Sequence, residues 1–272
     1  MQMRAREGIP GRLASAAPAG KHTARTLQSQ VVHRLGVAIV GGEFGPGAIL
    51  PTDAELIVRF GVSRTVLRES MKALAAKNIV NARARVGTRV LPRRDWSLFD
   101  PDVLAWHFEV GPDVAFLRSL SEIRVGIELE AAALAALRRT PEQMERLMAD
   151  VEGMARATDA DSFAEYDLDF HRTLAEAADN LFMASINGLV DLALAAAFTM
   201  SSPVDDPVAH KITVQNHRRI AHAIHDGSPD EARAAMRLVI AEGYDRAAGR
   251  MSGAGRPRTA EDSMAEAKRR AG

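Results

Sequence analysis

Thr52-Asp-Ala-Glu-Leu-Ile-Val-Arg-Phe-Gly-Val-Ser-Arg-Thr-Val-Leu-Arg-Glu-Ser-Met-Lys-Ala-Leu74 contains two helix starts separated by a glycine stop. Thr52 and Glu55 stand at the positions of a capping box, in which hydroxyl and carboxylate satisfy each other's end amides. The helix they open stops near Phe60-Gly61, and Ser63 offers a second N-cap. From there Leu67, Met71 and Leu74 recur at helical spacing, which buries one face and leaves Arg64, Thr65 and Arg68 exposed in the first turn. A short helix, a tight turn and an amphipathic helix with a basic leading end predict a helix-turn-helix.

Upstream, Leu27, Val31, Leu35, Ala38 and Ile39 mark a further amphipathic helix from Ala24 to the stop at Gly41-Gly42. Downstream, Ile79 to Ala82 and Thr88 to Leu91 read as strands around the basic tip Arg83-Ala-Arg-Val-Gly87. Three helices and a hairpin over residues 24–92 form the winged arrangement. In that geometry Arg64 and Arg68 enter the major groove, where an arginine fork grips guanine O6 and N7. The wing arginines Arg83, Arg85 and Arg89 contact phosphates and fix register. By pattern alone, a trihelical unit with surface arginines also fits a small solvated domain or a protein-docking module.

The rest of the chain has a different character. Residues 21–94 carry 13 Lys or Arg against 4 Asp or Glu, a balance of +9, whereas residues 95–250 carry 14 against 27, a balance of −13. The formal net charge of zero conceals this division. The basic part suits a phosphate backbone and the acidic part is repelled by one. Cysteine is absent, which fits a reducing cytoplasm and leaves His, Asp and Glu as the only metal ligands. No apolar run approaches the length of a membrane span and no signal-peptide core is visible, so the expected location is cytoplasmic, without a membrane partner. With 272 residues, 47 % of them hydrophobic, the chain can bury two cores. Residues 1–23 and 251–272 read as a disordered arm and a flexible tail.

Residues 112–250 show amphipathic Ala- and Leu-rich segments and no strand alternation, which predicts an all-α antiparallel bundle of about six helices. Its breaks fall at Arg138 to Pro141, Thr158 to Asp161, Asp179-Asn180, Ser201 to Pro207 and Asp226 to Pro229. The fold class is therefore mainly α. Residues 93–111 form an aromatic connector in which Trp96 and Trp106 serve as structural anchors. Asp167 and His171 lie one helical turn apart, and His217 lies on a later helix. Two His and a carboxylate suit a divalent metal, although an Asp/His pair at this spacing equally suits a solvated face.

The runs Ile49 to Leu56, Phe60 to Leu74 and Arg85 to Val90 resemble the DNA-binding domain of the GntR family of bacterial regulators. The resemblance implies DNA contacts at Ser63, Arg64, Thr65, Arg68 and Gly87. Ala54 departs from it, standing where family members often carry Arg. Asp167-Leu-Asp-Phe-His171, Asp179-Asn180 and Asn216 to Ile224 resemble the ligand-sensing FCD domain of the FadR subfamily. That likeness implies one divalent metal (Zn, Ni or Mn) on Asp167, His171 and His217, with an effector carboxylate bound to it. The last expected His aligns with Val239, and His222 and His225 point away from His217 at about 100° per residue. Arg124 falls where the subfamily faces an Arg to the effector; by spacing alone it pairs as readily with Glu128.

Together with Trp96 to Trp106, the missing His resembles the sugar-acid repressors of the subfamily, the galactonate regulators among them. The function so implied is a homodimeric repressor on a double-stranded DNA operator, released by a small carboxylate effector such as an aldonate. Two other readings are a sensor of another carboxylate or acyl ligand, and a metal-dependent enzyme using Asp167, His171 and His217 as a facial triad. The enzyme reading lacks a second acid or base beside the triad and gives the basic domain no task.

Overall fold

The computed structural model describes residues 19–83 and 86–251, which fall into two compact units divided between Ser97 and Leu98. In the first unit, α1 (Ala19–Val40), α2 (Asp53–Phe60) and α3 (Arg64–Ala76) precede strands β1 (Val80–Arg83) and β2 (Gly87–Val90). Helix α1 opens at Ala19, ahead of the Ala24 expected from apolar spacing and inside the arm read as disordered. A helix propagates one hydrogen bond per residue without needing an apolar stripe, so periodicity could not show this turn. Residues 1–18 of that arm and 252–272 of the tail lie outside the described residues.

The core of this unit is the facing stripes of α1 and α3, with Leu35, Ile39, Leu67 and Leu74 at most 1 % exposed. Burying each such side chain stabilises the fold by about 1.5–3 kcal/mol. The capping box forms as read: Thr52 N donates to Glu55 Oε2 at 2.7 Å and Glu55 N donates to Thr52 Oγ1 at 3.4 Å. Gly61, in the left-handed conformation with φ of 63°, ends α2. The hairpin pairs Val80 with Val90 and Arg83 with Gly87, and Ile49 bridges to Arg89 at its edge. Gly87 has φ of +100°, and a Cβ there would lie 3.3 Å from Ile49 Cγ2, so backbone conformation and packing both favour glycine.

The second unit is entirely helical among its described residues: α4 (Pro101–Val110), α5 (Val114–Arg138), α6 (Pro141–Arg156), α7 (Ala160–Ala177), α8 (Leu181–Ser201), α9 (Pro207–His225) and α10 (Pro229–Met251). The loops fall at the breaks read from the sequence. Each start from α4 to α9 has a polar cap, with Asp100, Asp113, Thr140, Asp159, Asn180 and Asp206 accepting first-turn amides. Residues 93–111 are divided between the units. Trp96 is buried in the first, its Nε1 donating to the Leu91 carbonyl at 2.9 Å, and Trp106 is buried in the second.

The bundle core joins Ala131, Ala132, Ala135 and Ala136 of α5 to Phe163, Phe170 and Leu174 of α7, with Ile220 and Ile224 of α9 and Met236 and Ile240 of α10. The alanines let α5 approach α10 closely. Similarly, Gly153 of α6 seats the Tyr166 ring of α7 directly on its backbone. No helix among the described residues is long and apolar enough to cross a membrane.

Candidate functional site

Helices α7 and α9 bring Asp167, His171 and His217 together, with one ligand atom of each within 4.8 Å of the others. The turn-spaced pair on α7 puts Asp167 and His171 on one face, and α9 presents His217 across from it. All are buried, at 6 %, 1 % and 0 % exposure. The solvated-face reading of Asp167 and His171 is thereby excluded.

His217 is fixed at both ring nitrogens. Nδ1 donates to the Thr213 carbonyl at 2.9 Å, which leaves Nε2 to face Asp167 Oδ1 at 3.0 Å. A neutral ring held this way presents a lone pair to a carboxylate, a juxtaposition that calls for a proton or a cation between them. His171 repeats the pattern: Nε2 stands 3.4 Å from Asp167 Oδ1 and Nδ1 2.7 Å from Glu128 Oε2. Neither contact has the alignment of a hydrogen bond, so both ring nitrogens of His171 are buried polar atoms without one. Such orphaned donors are rare in folded proteins and mark a missing partner.

The electrostatics agree. Burial would push Asp167 up, but His217 and His171 outweigh it and hold the carboxyl well below the usual carboxylate range. Burial likewise opposes ionisation of Glu128, yet Arg124 and His171 bring it down to about 2. Burial would depress His171, but the Glu128 charge and Asp167 raise it to about 9. Ionised groups this deep are tolerated only when paired, and their concentration here marks a functional site.

Two imidazole nitrogens and a carboxylate oxygen converging on one point fit a borderline divalent ion such as zinc or nickel. The outer nitrogen of His217 is oriented by a backbone carbonyl, as in ligating histidines generally, and a carboxylate stands 2.7 Å from the outer nitrogen of His171. Val239, where a further His was expected, is buried in the apolar core. His222 and His225 are exposed and do not join the cluster.

Arg124 pairs with Glu128, Nε to Oε1 at 2.7 Å and NH2 to Oε2 at 3.2 Å. It also lines a cavity of about 30 Å³ with Ser121, Ser201, Gly243 and Tyr244. Glu128, Thr213 and Phe198 were not read from the sequence as parts of the site. Glu128 had a signal, its spacing from Arg124; Phe198, whose ring stacks on His171 at 5.1 Å, had none. Buried Asn216 of α9 donates from Nδ2 to Oε1 of the half-buried Glu242 of α10 at 2.8 Å.

In the first unit, Ser63 caps α3, its Oγ accepting from Val66 N at 3.3 Å. Arg64, Thr65 and Arg68 are exposed along its leading turns, and Ala54 is exposed on the first turn of α2. Arg83 is exposed on β1 and Gly87 opens β2. Arg89 is exposed, but its NH1 donates to the Gly47 carbonyl at 3.0 Å and braces the turn before α2. Arg85 lies outside the described residues.

Residues 27–90 match the family described as bacterial regulatory proteins, gntR family, and residues 119–242 match the FCD domain. The transcriptional regulator YieP of Escherichia coli is 32 % identical over 79 % of this chain and 93 % of its own. The galactonate operon transcriptional repressor of the same species is 29 % identical, covering 80 % and 95 %. The repressor NanR of Klebsiella aerogenes is 33 % identical, covering 79 % and 83 %. Among solved structures, Lar of Listeria monocytogenes shares the fold with a TM-score of 0.54 at 22 % identity, over 81 % of this chain and 96 % of that one. The chain belongs to the GntR family of bacterial transcriptional regulators, with a winged helix-turn-helix ahead of an FCD domain.

Proposed function

We propose that the protein is a homodimeric repressor whose FCD domain holds one divalent metal and a sugar-acid effector, and whose winged helix leaves its operator when the effector binds. The observation that carries this reading is the convergence of His171 Nε2 and His217 Nε2 on Asp167 Oδ1, buried in an acidic domain and linked through Glu128 to Arg124. Asp167, His171 and His217 would hold the ion, which when bound supplies a Lewis-acidic centre for effector oxygens. With Val239 in the fourth position, more of the coordination sphere is left to the effector. A hydroxy acid, offering a carboxylate and adjacent hydroxyls, suits that vacancy, and the name of the galactonate relative points the same way.

Arg124 would take the effector carboxylate with its planar fork. The adjoining cavity of about 30 Å³ has room for about one water, so a sugar acid enters only by rearranging the helices around it. That rearrangement provides the differential contact by which a ligand shifts a population between DNA-fitting and DNA-releasing forms. On the DNA side, Arg64 and Arg68 read bases; Ser63, Thr65, Arg83, Arg85, Gly87 and Arg89 position the backbone. Specificity rests more on α3 and the wing than in family members with Arg at the position of Ala54.

A mobility shift with operator DNA, titrated with D-galactonate and other sugar acids with and without EDTA, tests the reading. Release by a sugar acid, diminished by EDTA, is expected. Release by acyl thioesters and by no sugar acid would overturn the effector class.

A further inference from the structure

Arg124, Glu128 and His171 form a chain of charged groups around one aromatic ring. The Arg124 fork takes both oxygens of Glu128, at 2.7 and 3.2 Å. Oε2 also stands 2.7 Å from His171 Nδ1 without being aligned for a hydrogen bond. A bidentate guanidinium draws the carboxylate into its own plane. The orientation of Glu128 is therefore set by Arg124, and the His171 Nδ1 beside it is not directed at Oε2. Phe198 holds the pieces in place, stacked on His171 at 5.1 Å and lying 4.8 Å beneath the Arg124 guanidinium. The side chains of Arg124 and Glu128 are only 11 % and 3 % exposed, so water does little to loosen their pairing.

A carboxylate bonded to the far nitrogen of a metal-bound histidine fixes the ring and strengthens donation from the near nitrogen. Glu128 occupies that position for His171 but is already engaged. We infer that Arg124 restrains the metal site through Glu128. While the fork holds the carboxylate, His171 is poorly supported as a ligand; when an effector carboxylate draws Arg124 away, Glu128 turns onto Nδ1 and the metal is held more tightly. Glu128 is thus a positioning residue that couples two binding events. Linkage requires the metal to tighten the effector by the same factor. The inference rests on the metal reading above.

Its distinctive consequence is a difference of sign, readable with Zn²⁺ alone. The affinity of the full chain for Zn²⁺ is measured by competition with a chromophoric chelator in the absence of any effector. The proteins compared are wild type, Arg124→Gln, Glu128→Gln and the double variant, with thermal melts confirming that each folds. Glu128→Gln should weaken Zn²⁺, but by less than the roughly 10–100-fold usual on removing an engaged support, because without effector the fork already withholds much of it. Arg124→Gln should tighten it several-fold.

Loss of a nearby positive charge would also tighten a cation, so the double variant decides the mechanism. In the Glu128→Gln background, Arg124→Gln should lose most of its gain. Weakening by both single changes, or an Arg124 effect undiminished without Glu128, overturns the relay. If Arg124→Gln does not fold, Arg124→Lys, which keeps the charge but not the fork, should still tighten Zn²⁺; unchanged or weaker binding overturns the relay there. A wild-type protein that binds no Zn²⁺ overturns the metal reading itself, and the relay with it.

Discussion

Replacing His217 by Ala separates a metal-binding site from a buried ion cluster that only stabilises the fold. The change removes the contact of Nε2 with Asp167 Oδ1 at 3.0 Å and that of Nδ1 with the Thr213 carbonyl at 2.9 Å. Asp167 then stays buried with His171 Nε2 at 3.4 Å. Breaking a buried pair from one side costs about 3–5 kcal/mol, so the metal-free variant should melt roughly 6–20 °C below wild type. Metal acts separately. At a thousandfold excess over its dissociation constant it stabilises the folded state by about 4 kcal/mol, on the order of 8–16 °C for a domain of this size. With one of three protein ligands gone, that increment should vanish.

The decisive quantity is therefore the difference between the melting temperature with Zn²⁺ and with EDTA, compared across variants by differential scanning fluorimetry. Leu174→Ala provides the control: it empties part of the core on the helix that carries Asp167 and His171 and costs about 2–5 kcal/mol. Its metal-free melting temperature should fall as far as that of His217→Ala, while its Zn²⁺ increment stays intact. A wild-type increment surviving in His217→Ala would show that Zn²⁺ binds elsewhere and refute the reasoning.

Arg68→Ala should weaken operator binding by about 1–3 kcal/mol, the worth of one bidentate base contact; a mobility shift equal to wild type at matched salt counts against α3 as the reading helix. Gly153→Ala would place a Cβ 2.3 Å from Tyr166 Cδ1, so despite the higher helix propensity of Ala it should destabilise the bundle by about 1–3 kcal/mol, and Tyr166→Ala in the same chain should restore much of the loss. Asp150 is pushed up to about 6 by burial first and by Asp169 second. Because its folded value exceeds the unfolded one, it favours folding below about pH 4 and loses that contribution as pH rises through 6. Asp150→Asn should accordingly stabilise the protein by on the order of 1 kcal/mol at pH 7.5, discounted for partial exposure, and by nothing at pH 4; equal melting-temperature gains at both would refute the assignment.

How much of this was legible in the sequence depends on whether a feature is local. The capping box at Thr52 and Glu55, the N-cap at Ser63 and the stop at Gly61 lie within one turn of the residues they act on, and the chain folds there as read. Breaks such as Asp179-Asn180 are legible for the same reason: Asn180 caps α8 by accepting from Phe182 N and Met183 N, at 3.0 and 3.2 Å. Asp167 and His171 are one turn apart, so their shared face was evident, but its burial was not. Burial depends on α9 crossing α7 some 50 residues later in the chain, which no window of helical period reports. Phe198 was invisible because it acts on His171 from another helix, and Thr213 because it acts through its backbone carbonyl, one turn before His217 on α9, which no side-chain pattern reports.

Arg124 and Glu128 are the instructive case. Their spacing allowed a local salt bridge or a free effector arginine, and at sequence level these look like alternatives. On the relay inferred above they become two states of one device, because the salt bridge forms with the carboxylate that stands beside His171 Nδ1. A surface pair at i, i+4 contributes a few tenths of a kcal/mol and has little to regulate. The same pair enclosed by Phe198 and the bundle core cannot be broken without replacing its charges, and only another anion can replace Glu128 at Arg124. The enclosure that makes the bridge costly to open is therefore what makes its opening selective for a carboxylate.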